Sequence, residues 1–418
     1  MVKIAHLSDI HAGYTATRHL NSQGINIREA DGYVALSRIV SDCIKHEVDL
    51  VVIAGDTFHT STPSIRTIIF VQNQFRRLAA AGIPVYALAG NHDTDDIRAN
   101  IAASRVLDDP LREIHSHAEP YVVHEVADGV NLHMVSHHMY MDQAMTMPDI
   151  KSIPGTINIF TTHGSVIDPL LEMKLHTEQS PREIVIPDWL LKDNDWDYIM
   201  LGHIHERGWV GSADGSTDTS GTRIFYNGSA IRRGFADKPC KLGRGWTLWT
   251  IGDDGSFTSE IMTVPQRPQY DFTPIDASSL SASEVTDKVI ENLVSTQPEQ
   301  GTEFIAATAP IVRQKIENIT PGKKAALDLK AISANATHTL HWDMPSSFMS
   351  RSENSSENSK KVSEDRTGKS NADLLKIYDE WIEDSNTLDG ISEDMRENVS
   401  RKARDFVRMG QEEVLSAE

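Results

Sequence analysis

Short apolar runs alternate with stretches of helical period along the first part of the chain. Residues 2–8 form an apolar run that ends in DIHAG. Residues 31–47 place Val34, Ile39, Val40, Cys43 and Ile44 at helical spacing, and residues 49–54 (DLVVIA) are a second run. Thr62 with Pro63 marks a helix start. Ile65, Ile68, Ile69, Phe75 and Leu78 ride on a helix over 63–81 that stops at Gly82, before a third run at 84–89. Further runs follow at 131–136, 156–161, 197–201, 223–226 and 246–251. Strands that alternate with helices and are nearly all apolar predict a sheet covered on both faces.

The pattern divides the chain into four parts. Residues 1–265 form one domain, and residues 266–345 a smaller α/β unit. In the smaller unit YDFTPIDA reads as a strand, 282–293 as a helix, and 303–309, 322–335 and 339–342 as further elements. Residues 346–372 hold nine Ser in 27 positions and almost no large apolar side chain, so they read as a linker. Residues 373–418 carry Leu375, Ile377, Tyr378, Trp381, Ile382, Val399, Phe406 and Val407 on a charged background. Two amphipathic helices there read as a docking segment for a partner, the alternative being a hairpin that folds back on the body.

Composition narrows the class. No stretch approaches the roughly 18 apolar residues of a membrane span, and the start MVKIAHLSDIH lacks a signal-peptide core. Cys43 and Cys240 are the only cysteines among 418 residues, which argues against a disulfide framework or a thiolate zinc site and for a cytoplasmic protein. The net charge of −20 argues against coating nucleic acid by electrostatics alone. Residues 346–418 hold 11 Lys+Arg against 17 Asp+Glu, a net of −6, so about −14 belongs to the body.

Five polar clusters follow predicted strands directly: Asp9 and His11 in DIH, Asp56 in GDTFH, Asn91 to Asp93 in GNHD, His163 in THG, and His203 and His205 in GHIH. In an α/β sheet, ligands gather beyond the carboxyl ends of strands, so clusters spread over almost 200 residues converge. Two carboxylates, one amide and four imidazoles suit first-row divalent ions such as Mn, Fe or Zn. Seven donors fit two ions if a carboxylate is shared. Two such ions about 3.5–4 Å apart clamp the attacking and leaving oxygens of a phosphoryl displacement and lower the pKa of water. Each cluster alone has an ordinary reading as a surface loop or Asx turn; five in order do not. With 18 histidines in the chain, His115, His117, His137 and His138 read as chance pairs or as supports of the cluster.

The series DIH, GDTFH, GNHD, THG and GHIH resembles the calcineurin-like metallophosphoesterase superfamily, and within it the Mre11/SbcD nuclease subunits. The likeness runs on through YNGSAIRRGF at 226–235. The resemblance implies a β-sandwich of mixed sheets flanked by helices, a small α/β capping domain that binds DNA, and a C-terminal helical tail. It implies that Asp9, His11 and His205 hold one metal, Asn91, His163 and His203 the other, and Asp56 both. His92 matches the general acid, Asp93 would orient it, and His59 matches a histidine that helps set the DNA end; a surface or supporting histidine is the other reading of His59. Arg232 and Arg233 are candidates for the DNA backbone. The implied activity is a manganese-dependent 3′-to-5′ double-strand exonuclease and single-strand endonuclease for DNA repair, recombination or replication. The implied partners are DNA, a Rad50/SbcC-like ATPase and a second copy of the chain, which would meet through the 63–81 helix unless that helix only packs on the sheet. Alternatives are a metallophosphoesterase for nucleotides or small phosphodiesters, or a non-catalytic scaffold.

Overall fold

The computed structural model describes residues 1–94, 102–137, 139, 148–166, 185–192, 194–211, 223–237, 239–298 and 307–348. The expected docking helices at 373–418 and nearly all of the Ser-rich stretch lie outside the described residues.

Strands β1 (Val2–Leu7), β2 (Leu50–Ile53), β3 (Val85–Leu88) and β4 (Ile114–His117) run parallel in one sheet. Helices α1 (Ile27–Lys45) and α2 (Ile65–Ala80) lie in the first two connections. A second sheet contains β5 (Tyr121–Ala127), β6 (Val130–Val135), β7 (Ile157–His163), β8 (Tyr198–Gly202), β9 (Gly208–Trp209) and β10 (Ile224–Tyr226), with α3 (Asp188–Lys192) before β8. The chain then returns to the first sheet as β11 (Gly245–Ile251) and β12 (Phe257–Thr263), giving the orders β12-β11-β1-β2-β3-β4 and β5-β6-β7-β8-β10-β9.

The two sheets stack on one apolar layer that includes Ile4, Val52, Leu88, Leu132, Ile159, Met200, Phe225 and Trp249. The other face of the first sheet is covered by α1 and α2 through Leu36, Ile39, Val40, Val71, Phe75 and Leu78. Leu190 and Leu191 of α3 pack in a third cluster with Phe160, Ile199 and Leu201 of the second sheet. This is the flanked sandwich implied by the resemblance, and its inner strands are largely apolar on both faces because both faces are covered.

The helix expected over 63–81 starts later. Ser64 is its N-cap and accepts from the Thr67 amide (3.1 Å), which a sequence reading centred on Pro63 placed too early. Its apolar faces divide: Val71, Phe75 and Leu78 are buried, while Ile65 and Ile69 are 76% and 51% exposed.

A smaller sheet follows, with β13 (Gln269–Asp276), β14 (Ile311–Ile319), β15 (His341–Asp343) and β16 (Ser346–Phe348). Its helices are α4 (Ala282–Ser295), α5 (Pro321–Ala325) and α6 (Leu329–Asn335). Of the element expected over 303–309, residues 307–309 are turn and loop and the rest lie outside the described residues; the strand that follows is β14, whose IVRQKIENI mixes charge into the apolar pattern. Ser346–Phe348, read by composition as the start of the linker, pair with β14.

One buried histidine sets an acid limit on this fold. His6 in β1 lies between the sheets beside Phe225 and Trp249, and burial, helped by the Arg207 charge, lowers its pKa from 6.5 to about 3. An unfolded chain therefore takes up a proton that the folded chain refuses, and stability drops as pH falls from 6.5 towards 3. Each pKa unit is worth about 1.4 kcal/mol, so His6 alone carries up to roughly 5 kcal/mol of this loss. Urea unfolding in chelator from pH 7 to 4 should show a shallower pH slope for His6→Leu than for the unsubstituted chain; equal slopes would reject the assignment.

Candidate metal centre

The polar clusters lie where both sheets end on the same side. Asp9 and His11 follow β1, Asp56 follows β2, Asn91 to Asp93 follow β3, His163 closes β7, and His203 and His205 follow β8. Aiming the side chains requires unusual backbone. Asp9, His11, Asp56 and His203 have φ of 48°, 48°, 53° and 99°, a region that Asp and His enter more readily than most residues but still at a cost. Three glycines make room. A Cβ on Gly55 would stand 2.2 Å from His163 Nδ1, and one on Gly90 would stand 2.2 Å from Asp56 Oδ1. On Gly202 it would stand 1.9 Å from the Ala54 carbonyl oxygen.

Asp9, His11, Asp56 and His163 are almost fully buried, with His203, His205, Asn91 and His92 around them at intermediate exposure. Asp56 Oδ2 lies 3.6 Å from His11 Nε2 and 3.4 Å from His163 Nε2. His11 Nε2 and His205 Nε2 are 3.0 Å apart, and His205 Nε2 is 3.7 Å from Asp9 Oδ1. Asn91 Oδ1 sits 2.9 Å from His163 Nε2 and 3.2 Å from His203 Nδ1. Asp9 with His11 and His205, and Asp9 with Asp56 and His163, each bring three donor atoms within 4.8 Å of one another. All seven sequence-predicted donors thus meet in one place.

The electrostatics fit cations at this point. His11 and His203 are held well below the ordinary imidazole pKa, mainly by burial, and so offer neutral lone pairs. His163 behaves oppositely: against its burial, Asp56 and then Asp9 raise its pKa from 6.5 to about 9. Asp56 is likewise held well below its ordinary value, its burial outweighed by His163 and His11. Buried carboxylates that draw a proton onto a nearby imidazole are short of positive charge, which divalent ions would supply. Asp9, His11 and His205 would hold one ion, Asn91, His163 and His203 the other, with Asp56 between them.

Backbone and side-chain partners fix these donors. His163 Nδ1–H donates to the Ala54 carbonyl (2.9 Å), leaving Nε2 towards Asp56 and Asn91. The His203 amide donates to both Asp9 oxygens at 3.1 Å. His205 Nδ1–H donates to Asp237 Oδ1 (2.8 Å), and Arg233 lies 3.6 Å from that oxygen. Asp237 was invisible to the sequence reading, whose matched segment stops two residues earlier at Phe235. Of the two arginines named as candidates for the DNA backbone, Arg232 donates to the carbonyls of Asp237 and Gln269, and Arg233 is tied to Asp237. The tight turn around Gly228 satisfies local backbone groups here and braces the GHIH loop, since Ser229 N and Arg244 donate to the His205 carbonyl.

His92 stands at the rim with its ring 4.7 Å from that of His11 and perpendicular to it. Its Nδ1–H donates to the His59 carbonyl (2.8 Å), and its amide donates to Asp56 Oδ1 (2.8 Å). Asp93, expected to orient His92, instead accepts from the Thr57, Phe58 and Gly90 amides at 3.2, 2.9 and 3.0 Å. Its buried carboxyl faces backbone donors, while a main-chain carbonyl takes the orienting role. The His59 ring stacks on His92 at 5.3 Å and 17°, with Tyr14 edge-on at 5.1 Å. His137, read from the sequence as a chance pair or a support of the cluster, is buried with its ring 6.1 Å from that of His163.

The fold and this donor arrangement define a phosphoesterase class: residues 2–207 match the calcineurin-like phosphoesterase family and are such a domain. Among similar proteins, the DNA double-strand break repair protein Mre11 of Saccharolobus solfataricus is 25% identical over 277 residues, covering 64% of this chain and 65% of that protein. The Mre11 of Haloferax volcanii is 23% identical over 343 residues, 80% of this chain and 66% of its own. That of Archaeoglobus fulgidus is 27% identical over 308 residues, with 70% and 63% covered. In these three the match spans less than two thirds of the relative's length.

Proposed function

We propose that this chain is the two-metal DNA nuclease subunit of an Mre11–Rad50-like (SbcCD-like) complex in DNA repair, with Mn2+ as its ion. The observation that carries this reading is the convergence of Asp9, His11, Asp56, Asn91, His163, His203 and His205 under the rim formed by His92 and His59. The Mre11 relatives support it. The reaction is hydrolysis of a DNA phosphodiester, as 3′-to-5′ double-strand exonuclease and single-strand endonuclease.

The ions supply Lewis acidity and a water of lowered pKa. The protein supplies position and protons. His92 presents Nε2 to the leaving 3′ oxygen because Nδ1 is occupied by the His59 carbonyl. His59, stacked on it, limits its rotation and meets the DNA end. Residues 266–345 act as the DNA-binding cap, residues 373–418 dock the ATPase, and Ile65 and Ile69 of α2 serve a homodimer. With a charge of −20, the isolated chain holds DNA weakly and relies on its partners for grip.

Incubating the chain in Mn2+ with linear duplex DNA and, separately, with a small aryl phosphodiester tests this. Hydrolysis of both is expected, and activity on the small ester alone would favour a nucleotide or small-phosphodiester esterase instead.

A further inference from the structure

We propose that His115, His117 and His124 form a second metal site, for an imidazole-preferring ion of the zinc class, which staples the two sheets together at the open edge of the sandwich. Strand β4 is the outer strand of the first sheet and β5 the outer strand of the second. His115 and His117 are two residues apart on β4 and so share a face. In register they stand opposite Tyr86 and Leu88 of β3, which line the apolar layer between the sheets. His124 lies on β5 between Val122 and Val126, which pack against the same layer. Where inner strands place apolar side chains, these outer strands place three imidazoles.

The rings already converge. His117 Nε2 and His124 Nε2 are 2.7 Å apart, and the His115 and His124 ring centres are 5.1 Å apart. Tyr86 stacks on His115 at 5.1 Å and 14° and lies 4.9 Å from the His124 ring. Behind the rings stand carboxylates: Glu119 is 3.3 Å from His117 Nδ1, and Glu113 is 3.2 Å from His115 Nε2. With Nδ1–H donating to the Glu119 carboxylate, His117 Nε2 is left as a lone-pair donor, the carboxylate–histidine arrangement found behind metal ligands.

Burial, with its histidine neighbours, holds His124 at about 4, and burial also lowers His117, so both rings are neutral near pH 7 as coordination requires. Zinc–nitrogen bonds of about 2.0–2.1 Å at tetrahedral angles place nitrogens roughly 3.3 Å apart, so the pair opens by about 0.6 Å to admit the ion. His115 completes the set by rotating away from Glu113. Side-chain exposures of 18% for His115 and 16% for His117 leave a path for entry. None of these three histidines belongs to the donor sets of the catalytic centre, and His115 must turn before all three nitrogens meet as closely as those sets do.

The test uses the full chain, stripped with chelator, refilled with excess Mn2+ and given stoichiometric Zn2+. After buffer exchange, the unsubstituted chain should retain one more zinc per molecule than His124→Phe. Zinc should raise its thermal midpoint by about 5 °C, with little change in the variant. His115→Gln, altered at the rim, gives the same reading should His124→Phe fail to fold. Equal zinc content and equal midpoint shifts in all chains would overturn the proposal and leave the histidines as a hydrogen-bonded pair beside a stacked ring.

Discussion

A loss of at least about 10³-fold in Mn2+-dependent phosphodiester hydrolysis is expected when Asp56 becomes Asn, with the fold intact. Asp56 is the most heavily shared group of the centre. One oxygen approaches His11 and His163 at 3.6 and 3.4 Å, and the other accepts the His92 amide at 2.8 Å. Asparagine has nearly the same shape, tolerates the backbone φ of 53°, and keeps an acceptor for His92. Only the charge is removed, and with it the anion that the two sets of donors have in common. Rates on an aryl phosphodiester, the count of bound manganese, and the thermal midpoint in chelator separate chemistry from folding. A variant within tenfold of the original rate would remove Asp56 from its place between the ions.

Gly202→Ala should do the opposite, damaging the fold before the chemistry is reached. Gly202 closes β8, and its added methyl would lie 1.9 Å from the Ala54 carbonyl oxygen and 2.9 Å from the Ser8 Cβ. Neither neighbour gives way easily. The Ala54 amide donates to the Leu7 carbonyl, and the Ala54 carbonyl accepts from His163. The sheets must part at the point where they bring the donors together. A destabilisation of at least about 3 kcal/mol is expected, at the upper end of what overpacking produces. Gly82→Ala is the control: no atom lies within 4 Å of its new methyl, and only its φ of 77° opposes the change, at about 1 kcal/mol. Similar urea midpoints for the two variants would mean that the close approach at Gly202 is not rigid.

The donors were legible because each stands just beyond an apolar run, and parallel strands of covered sheets collect their carboxyl ends on one side. Asp9, Asp56 and His163 needed no information beyond that rule. The groups that steady them were not legible in the same way. Asp237 reaches His205 across 32 positions of chain without a run or motif to announce it, and the His59 carbonyl that orients His92 is a main-chain atom, which no side-chain pattern encodes. Asp93 looked like the orienting carboxylate by adjacency, yet the turn directs it to three backbone amides. Elements with polar alternation escaped for a related reason. Strands β4, β5, β12 and β14 expose part of their surface, so the apolar runs that revealed the inner strands are broken by His, Glu, Ser, Arg and Lys.

The pairing of β1 with β11 has a consequence for how the chain is made. Val2 pairs with Ile251 and His6 with Thr247, so the first strand of this sandwich to be synthesised waits for one of its last. His205 also reaches the centre 194 positions after His11. A nascent chain that has reached only position 200 therefore has neither a closed first sheet nor a full set of donors, and has exposed the strand edge that β11 will cover. Chain truncated before β11 should aggregate rather than accumulate as a smaller soluble hydrolase, and full-length chain should acquire its ions only after synthesis has passed that strand.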